Sequence, residues 1–132
     1  MPAVADPGSG VVRAAHALGM EVLPLVGPVS LMLALAASGL NGQHFAFVGY
    51  VPQDATVRAK QLRDLESLSA RTGQTQILIE TPYRNNALLD ALVSQLHGTT
   101  RLAVACALGL GGQTVRSATV DEWRQKPGLR QA

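Results

Sequence analysis

Two proline-glycine turns, Asp6-Pro7-Gly8-Ser9-Gly10 and Gly27-Pro28, bracket an amphipathic stretch and a short apolar run, and this spacing constrains the fold more than any other feature of the chain. Proline fixes φ and lacks an N–H donor, and glycine reaches conformations closed to other residues, so each turn stops one element and starts the next. Between them Val11, Ala14, Ala15 and Leu18 recur at helical spacing, with Gly19 where a C-terminal cap belongs. EVLPLV at residues 21–26 then predicts a short buried strand. The pattern is that of one βα unit of a ligand-binding α/β domain. Each turn would leave helix N–H groups free, an arrangement that attracts carboxylates and phosphates. Such turns also begin helices where only the fold requires them.

Beyond the second turn, residues 29–37 are apolar on every side and Gly39 closes them, which predicts a helix packed on all faces. HFAFVGYV at 44–51 alternates and is rich in β-branched and aromatic residues, so it predicts a strand, ended by Pro52, with Asp54 placed to cap a helix. That helix turns Ala59, Leu62, Leu65 and Leu68 inward and leaves Arg58, Lys60, Arg63, Asp64 and Glu66 to solvent, until Thr72-Gly73 stops it. TQILIE at 75–80 is a short strand ending on a carboxylate, and Thr81-Pro82 leads into a helix carrying Leu88, Leu89, Leu92, Val93 and Leu96. RLAVACAL and QTVRSATV are two strands joined by Gly109-Leu110-Gly111-Gly112, and DEWRQ begins a final turn of helix. This order is α/β, with a mixed sheet flanked by helices. The closing RQKPGLRQA is expected to fray unless something pairs with it.

A chain of 132 residues has the size of a single domain, and 47% hydrophobic against 15% charged residues excludes a disordered chain. Eleven basic and nine acidic residues are scattered rather than striped, so no surface announces nucleic acid by charge alone. The single cysteine, Cys106, excludes an internal disulfide, and its apolar neighbours read as core. His16, His44 and His97 are dispersed and form no metal-ligand spacing, so a metal-free, cytoplasmic protein is expected. Glu21, Pro24, Gly27 and Pro28 interrupt the apolar region too often for a membrane span, and MPAVADPG lacks the basic and apolar regions of a signal peptide.

Reactive constellations are few. The GLGG run is followed by a β-branched segment, 114–120, rather than by a helix, so it reads as a hairpin turn and not a phosphate loop. Ser9 has no strand long enough before it to form a nucleophile elbow. IETPYR is more informative: Glu80 at the carboxyl end of a strand and Arg84 in the first turn of a helix flank a proline, at the edge where open α/β sheets bind ligands. The two side chains could face a ligand, or simply form a local ion pair.

Taken in order, the DPG turn, the P-x-x-G-P run, the apolar helix closed by SGL, F-x-F-x-G-Y-x-P and E-T-P-Y-R resemble the tetrapyrrole methylase superfamily. The branch they look most like is the ribosomal small-subunit RNA methyltransferases I, which methylate a cytidine 2′-hydroxyl with S-adenosylmethionine. The resemblance spans residues 2–123 and corresponds to the C-terminal portion of such an enzyme. It implies that residues 1–26 are the last βα unit and strand of an N-terminal domain, and that 27–132 form the C-terminal α/β domain.

Residue by residue, the resemblance implies cofactor-facing positions at Val4, Gly27, Pro28, Val29, Ser30, Glu80, Thr81 and Leu108, with Asp6, Tyr83 and Arg84 as substrate-binding candidates. It implies S-adenosylmethionine as cofactor, a tetrapyrrole or ribosomal RNA as acceptor, and a homodimer. No nucleophilic side chain is implied, because the sulfonium is already activated and alignment is the main task. The glycine-rich turns of the first domain are not among these residues, so this chain alone is expected to be inactive, as an excised domain or one read from a mispredicted start. Two departures bear on the acceptor. The branch carries an Arg-Glu-Leu-Thr-Lys run and a following glutamate where this chain has Cys106-Ala107-Leu108-Gly109-Leu110 and Gln113, and a histidine where it has Tyr83. A paralogue with another acceptor fits these differences, and the alternative is a non-catalytic α/β dimerisation or binding module that keeps the fold without binding a methyl donor.

Overall fold

A computed structural model describes residues 1–128 of the chain. The elements are α1 (Ser9–Ala17), α2 (Ser30–Ser38), β1 (Phe45–Gly49), α3 (Ala55–Thr72), β2 (Thr75–Leu78), a 3₁₀ turn (Pro82–Arg84), α4 (Asn85–Gln95), β3 (Arg101–Cys106), β4 (Thr114–Thr119) and α5 (Val120–Gln125). Local chemistry sets several of the boundaries. The Asp54 carboxylate accepts from the Val57 N–H at 2.9 Å and starts α3, and the Thr119 hydroxyl accepts from the Glu122 N–H at 3.3 Å and starts α5. Gly19, at φ +69°, ends α1 in a left-handed cap: its N–H donates to His16 O at 3.1 Å and the Met20 N–H to Ala15 O at 2.9 Å.

The fold is α/β, and strands of both orientations are present, but they pair in two ribbons rather than in one sheet. β1 and β2 are parallel, with Phe45 opposite Thr75 and Phe47 opposite Ile77. β3 and β4 form an antiparallel hairpin from Arg101 opposite Thr119 to Cys106 opposite Thr114, as the glycine-rich turn predicts. Among the described residues no strand pairing joins the ribbons, so helices and side chains hold them together.

That core contains Val51, Leu62, Leu88, Leu92, Leu96 and Val120, with Leu78, Ala91 and Leu102 packed against it. It therefore draws on both ribbons and on three helices. Trp123 and Val120 are wholly buried, and the indole N–H donates to Leu102 O at 2.9 Å, pinning α5 to β3. The Arg116 guanidinium lies 3.9 Å from the Trp123 ring centroid and donates to the carbonyls of Glu122, Lys126 and Gly128, which ties down the start of the closing segment. The rest of the tail predicted to fray, residues 129–132, lies outside the described residues.

Five expectations are corrected. Residues 21–26 form no strand: Leu23, Leu25 and Val26 are exposed, no neighbouring strand accepts them among the described residues, and Pro24 cannot donate. Among the described residues helix α2 is covered on one face only. Leu31 and Ser38 are buried with Ala34 and Leu35 half-buried, and the Ser117 hydroxyl donates to Ser38 O at 2.7 Å; Met32, Leu33, Ala36 and Ala37 face outward. The apolar side of α1 is likewise uncovered, with Val11, Ala14 and Leu18 exposed. Glu66, expected in solvent, is largely covered, its side chain 9% exposed. Its carboxylate accepts from the His97 N–H at 2.9 Å and from the Thr100 hydroxyl, clasping α3 to the turn between α4 and β3. Gly98 in that turn has no room for a Cβ, because the Asp121 carboxylate occupies the space. Cys106 is half-buried rather than fully enclosed.

Leu62→Ala is expected to cost about 2–5 kcal/mol in urea unfolding, from lost transfer energy and a cavity, whereas Leu33→Ala on the outer face of α2 stays within about 0.5 kcal/mol.

Candidate functional site

Parallel pairing places the carboxyl ends of β1 and β2 side by side, so the segment after each strand emerges at one edge. After β2 the backbone of Thr81 is extended, as a residue before proline must be, and Pro82–Arg84 makes a single 3₁₀ turn into α4. Arg84 thus sits just before the helix rather than inside it. Glu80 is four residues back on the same edge, and its Oε1 lies 3.0 Å from Arg84 Nε. The same oxygen accepts from the Thr81 N–H at 2.8 Å and from the Thr81 hydroxyl at 3.3 Å. The Glu80 side chain is only 8% exposed and that of Arg84 23%, so water screens the pair little.

The local ion pair considered from sequence is therefore formed, but it does not exhaust the carboxylate. Every one of these contacts is on Oε1, and among the described residues Oε2 has no partner. Glu80 and Pro82 line a cavity of about 450 Å³ that lies between the two ribbons, with Leu35 of α2, Leu88 and Leu92 of α4, and Val104 and Ala107 of the hairpin as further walls. A mostly apolar cleft carrying one oriented carboxylate is the ordinary make-up of a small-molecule site.

Across that cavity β3 ends at Cys106, and Ala107 adopts φ +54°, a left-handed conformation costly for a residue with a Cβ. Leu108 comes next in the turn, which is closed by Leu110 N–H to Ala107 O at 3.0 Å and by Gly109 N–H to the Gln113 side-chain oxygen at 2.8 Å. The N-terminal positions form a second group. Val4 N–H donates to Met1 O at 3.1 Å, and the Met1 Cε lies 3.6 Å from where a Cβ on Gly27 would be, so the Val4 turn and Gly27-Pro28 are neighbours. Val4, Asp6, Gly27, Pro28 and Ser30 are exposed and Val29 is half-buried. The structure thus brings Glu80, Thr81 and Arg84 into one bonded unit and Val4 beside Gly27. No hydrogen bond links the two groups among the described residues.

Sequence reasoning missed Tyr50, which comes directly after β1 and stands 5.8 Å from the Arg84 guanidinium, while Tyr83 stands 5.5 Å from it. An aromatic residue two positions before Pro52, at a strand end, was the available signal. It missed Ala107 as well, because alanine gives no warning of a left-handed backbone. No cluster of three potential metal ligands occurs among the described residues.

No family model matches the chain. Curated relatives do match it. A protein of Pseudomonas aeruginosa is 33% identical over 121 residues, 92% of this chain and 42% of the relative. One from Neisseria meningitidis serogroup A is 35% identical over 121 residues, 92% of this chain and 40% of the relative. One from Xylella fastidiosa is 38% identical over 103 residues, 78% of this chain and 36% of the relative. Each is named ribosomal RNA small subunit methyltransferase I. The chain is similar to part of each of these methyltransferases. It spans about 40% of the length of the curated relatives it matches, and it corresponds to their C-terminal portion.

In this chain Arg84→Met is expected to cost about 3 kcal/mol in urea unfolding, because it strands a buried carboxylate; adding Glu80→Gln restores part of the loss, which a double-mutant cycle measures.

Proposed function

We propose that the protein to which this chain contributes is an S-adenosylmethionine-dependent methyltransferase of small-subunit ribosomal RNA, with a cytidine 2′-hydroxyl as acceptor. The observation that carries the reading is the Glu80 carboxylate, held on one oxygen and open on the other beside an apolar cavity at the carboxyl edge of parallel strands. The names of the relatives support RNA rather than a tetrapyrrole as the acceptor.

The cavity fits a ligand that combines a flat heterocycle with a short charged tail, since leucine walls suit the first and one oriented carboxylate suits polar hydrogens on the second. When bound, S-adenosylmethionine supplies a methyl group already activated on sulfur. Glu80 Oε2 would hold its polar groups, with Thr81 and Leu108 contributing from the segments that follow β2 and β3. Val4, Gly27, Pro28, Val29 and Ser30 would face the ligand from the N-terminal turns, whose free N–H groups suit a carboxylate. Asp6, Tyr83 and Arg84 would face the acceptor. These chain residues orient and desolvate the reactants, and no nucleophilic side chain takes part.

Residues 1–26 would end a first domain and 27–132 would form the second, and on this reading the 132-residue chain would be inactive alone. Exposed Leu23, Leu25 and Val26 and the outer face of α2 suit cover by that domain and by a second subunit in a cytoplasmic homodimer. A second reading, a binding module without catalysis, is favoured by one observation: residues 106–113 carry no charged side chain that could take a proton from a hydroxyl acceptor.

Calorimetric titration of S-adenosylhomocysteine into this chain and into a form extended to an upstream in-frame start separates the two readings. Binding by the longer form, weakened about tenfold by Glu80→Gln as expected for one lost charge-assisted hydrogen bond, supports the methyltransferase. Binding by neither form leaves the module. Transfer of labelled methyl from the donor into small-subunit RNA then checks the acceptor.

A further inference from the structure

Outside the cavity, the most unusual surface is the trio of Tyr50, Arg84 and Tyr83. Tyr50 is 55% exposed and Tyr83 is 83% exposed, so both rings present open faces to solvent. Between them the Arg84 guanidinium lies 5.8 Å from one ring centroid and 5.5 Å from the other. It is held from one side only: Nε meets Glu80 Oε1 at 3.0 Å and the Thr81 hydroxyl at 3.3 Å. The two terminal amino groups, Nη1 and Nη2, donate to no acceptor among the described residues. Three flat groups are thus gathered at a strand end and a 3₁₀ turn, with exposed rings and unspent guanidinium donors.

Resting on the RNA reading above, we propose that Tyr50, Arg84 and Tyr83 form a stacking platform for an unpaired nucleobase of the acceptor RNA. Unstacked bases bind to aromatic rings and guanidinium planes, and every base offers such a face. The free Nη donors suit acceptor atoms in the plane of a base or on a phosphate, which a purely apolar partner would not supply. Neither tyrosine lines the cavity assigned to the methyl donor, although Pro82, adjacent to Tyr83, does. The platform therefore lies beside that cavity and outside it, where an acceptor nucleotide has to approach.

The test is titration of a short single-stranded oligoribonucleotide carrying one 2-aminopurine into the 132-residue chain and its upstream-extended form, followed by fluorescence quenching and anisotropy. Quenching on binding is expected, with Tyr83→Leu and Tyr50→Leu each weakening binding about tenfold and losing the quench, and Tyr83→Phe keeping both. Unfolding midpoints unchanged in the leucine variants confirm that the loss is local. RNA bound equally well by the leucine variants overturns the platform and leaves the RNA reading standing. Binding of S-adenosylhomocysteine without any RNA binding, in either form, overturns the platform together with the RNA reading. Loss of self-association in sedimentation by the leucine variants, with RNA binding intact, assigns the rings to a protein contact and likewise overturns the platform.

Discussion

The packing of α3, α4 and α5 is the constraint on which the rest of this structure depends. The two ribbons share no strand pairing among the described residues, so the separation between the end of β2 and the end of β3 is set by side chains alone. Leu62, Leu88, Leu92, Leu96 and Val120 fill the space between them, and three polar clasps fix the angles: Trp123 to Leu102, Glu66 to the 97–100 turn, and Arg116 over the indole. Close-packed interiors transmit small shifts, so the width of the cavity between Glu80 and Ala107 is set directly by this core.

On that scaffold the edge chemistry comes from a few residues. Proline at position 82 forces Thr81 to be extended, and the short 3₁₀ turn then swings Arg84 back over Glu80. The ion pair orients the carboxylate and neutralises part of its burial cost, yet uses one oxygen, so the site stays both stable and receptive. The chain spans about 40% of the length of the methyltransferases it is similar to, and on the proposed reading this geometry would supply one side of a methyl-donor site.

The amino-acid sequence made legible those features that depend on local pattern. The periodic leucines of α3 and α4, the Asp54 cap, the Gly19 cap and the 109–112 hairpin turn all arise from residues within a few positions of one another. The features it hid depend on neighbours. Among the described residues EVLPLV has the pattern of a strand but no partner to pair with, and the second face of α2 is apolar with nothing over it, because a hydrophobic pattern reports what could be buried and not what is present to bury it. The local pattern around Glu66 points it to solvent, because its partners, His97 and Thr100, are more than thirty positions away. In the site, the Glu80–Arg84 pair was readable from its spacing of four, whereas Tyr50 joins Arg84 only through parallel strand pairing.

Hydrogen–deuterium exchange of the upstream-extended form, with and without S-adenosylhomocysteine, probes most directly whether the edge of β2 and the hairpin turn form one ligand site. Slowed exchange confined to residues 79–84 and 107–113, with the 97–100 turn unchanged, is the predicted result. Protection absent from both segments, or found only around Glu66 and the 97–100 turn, would contradict it.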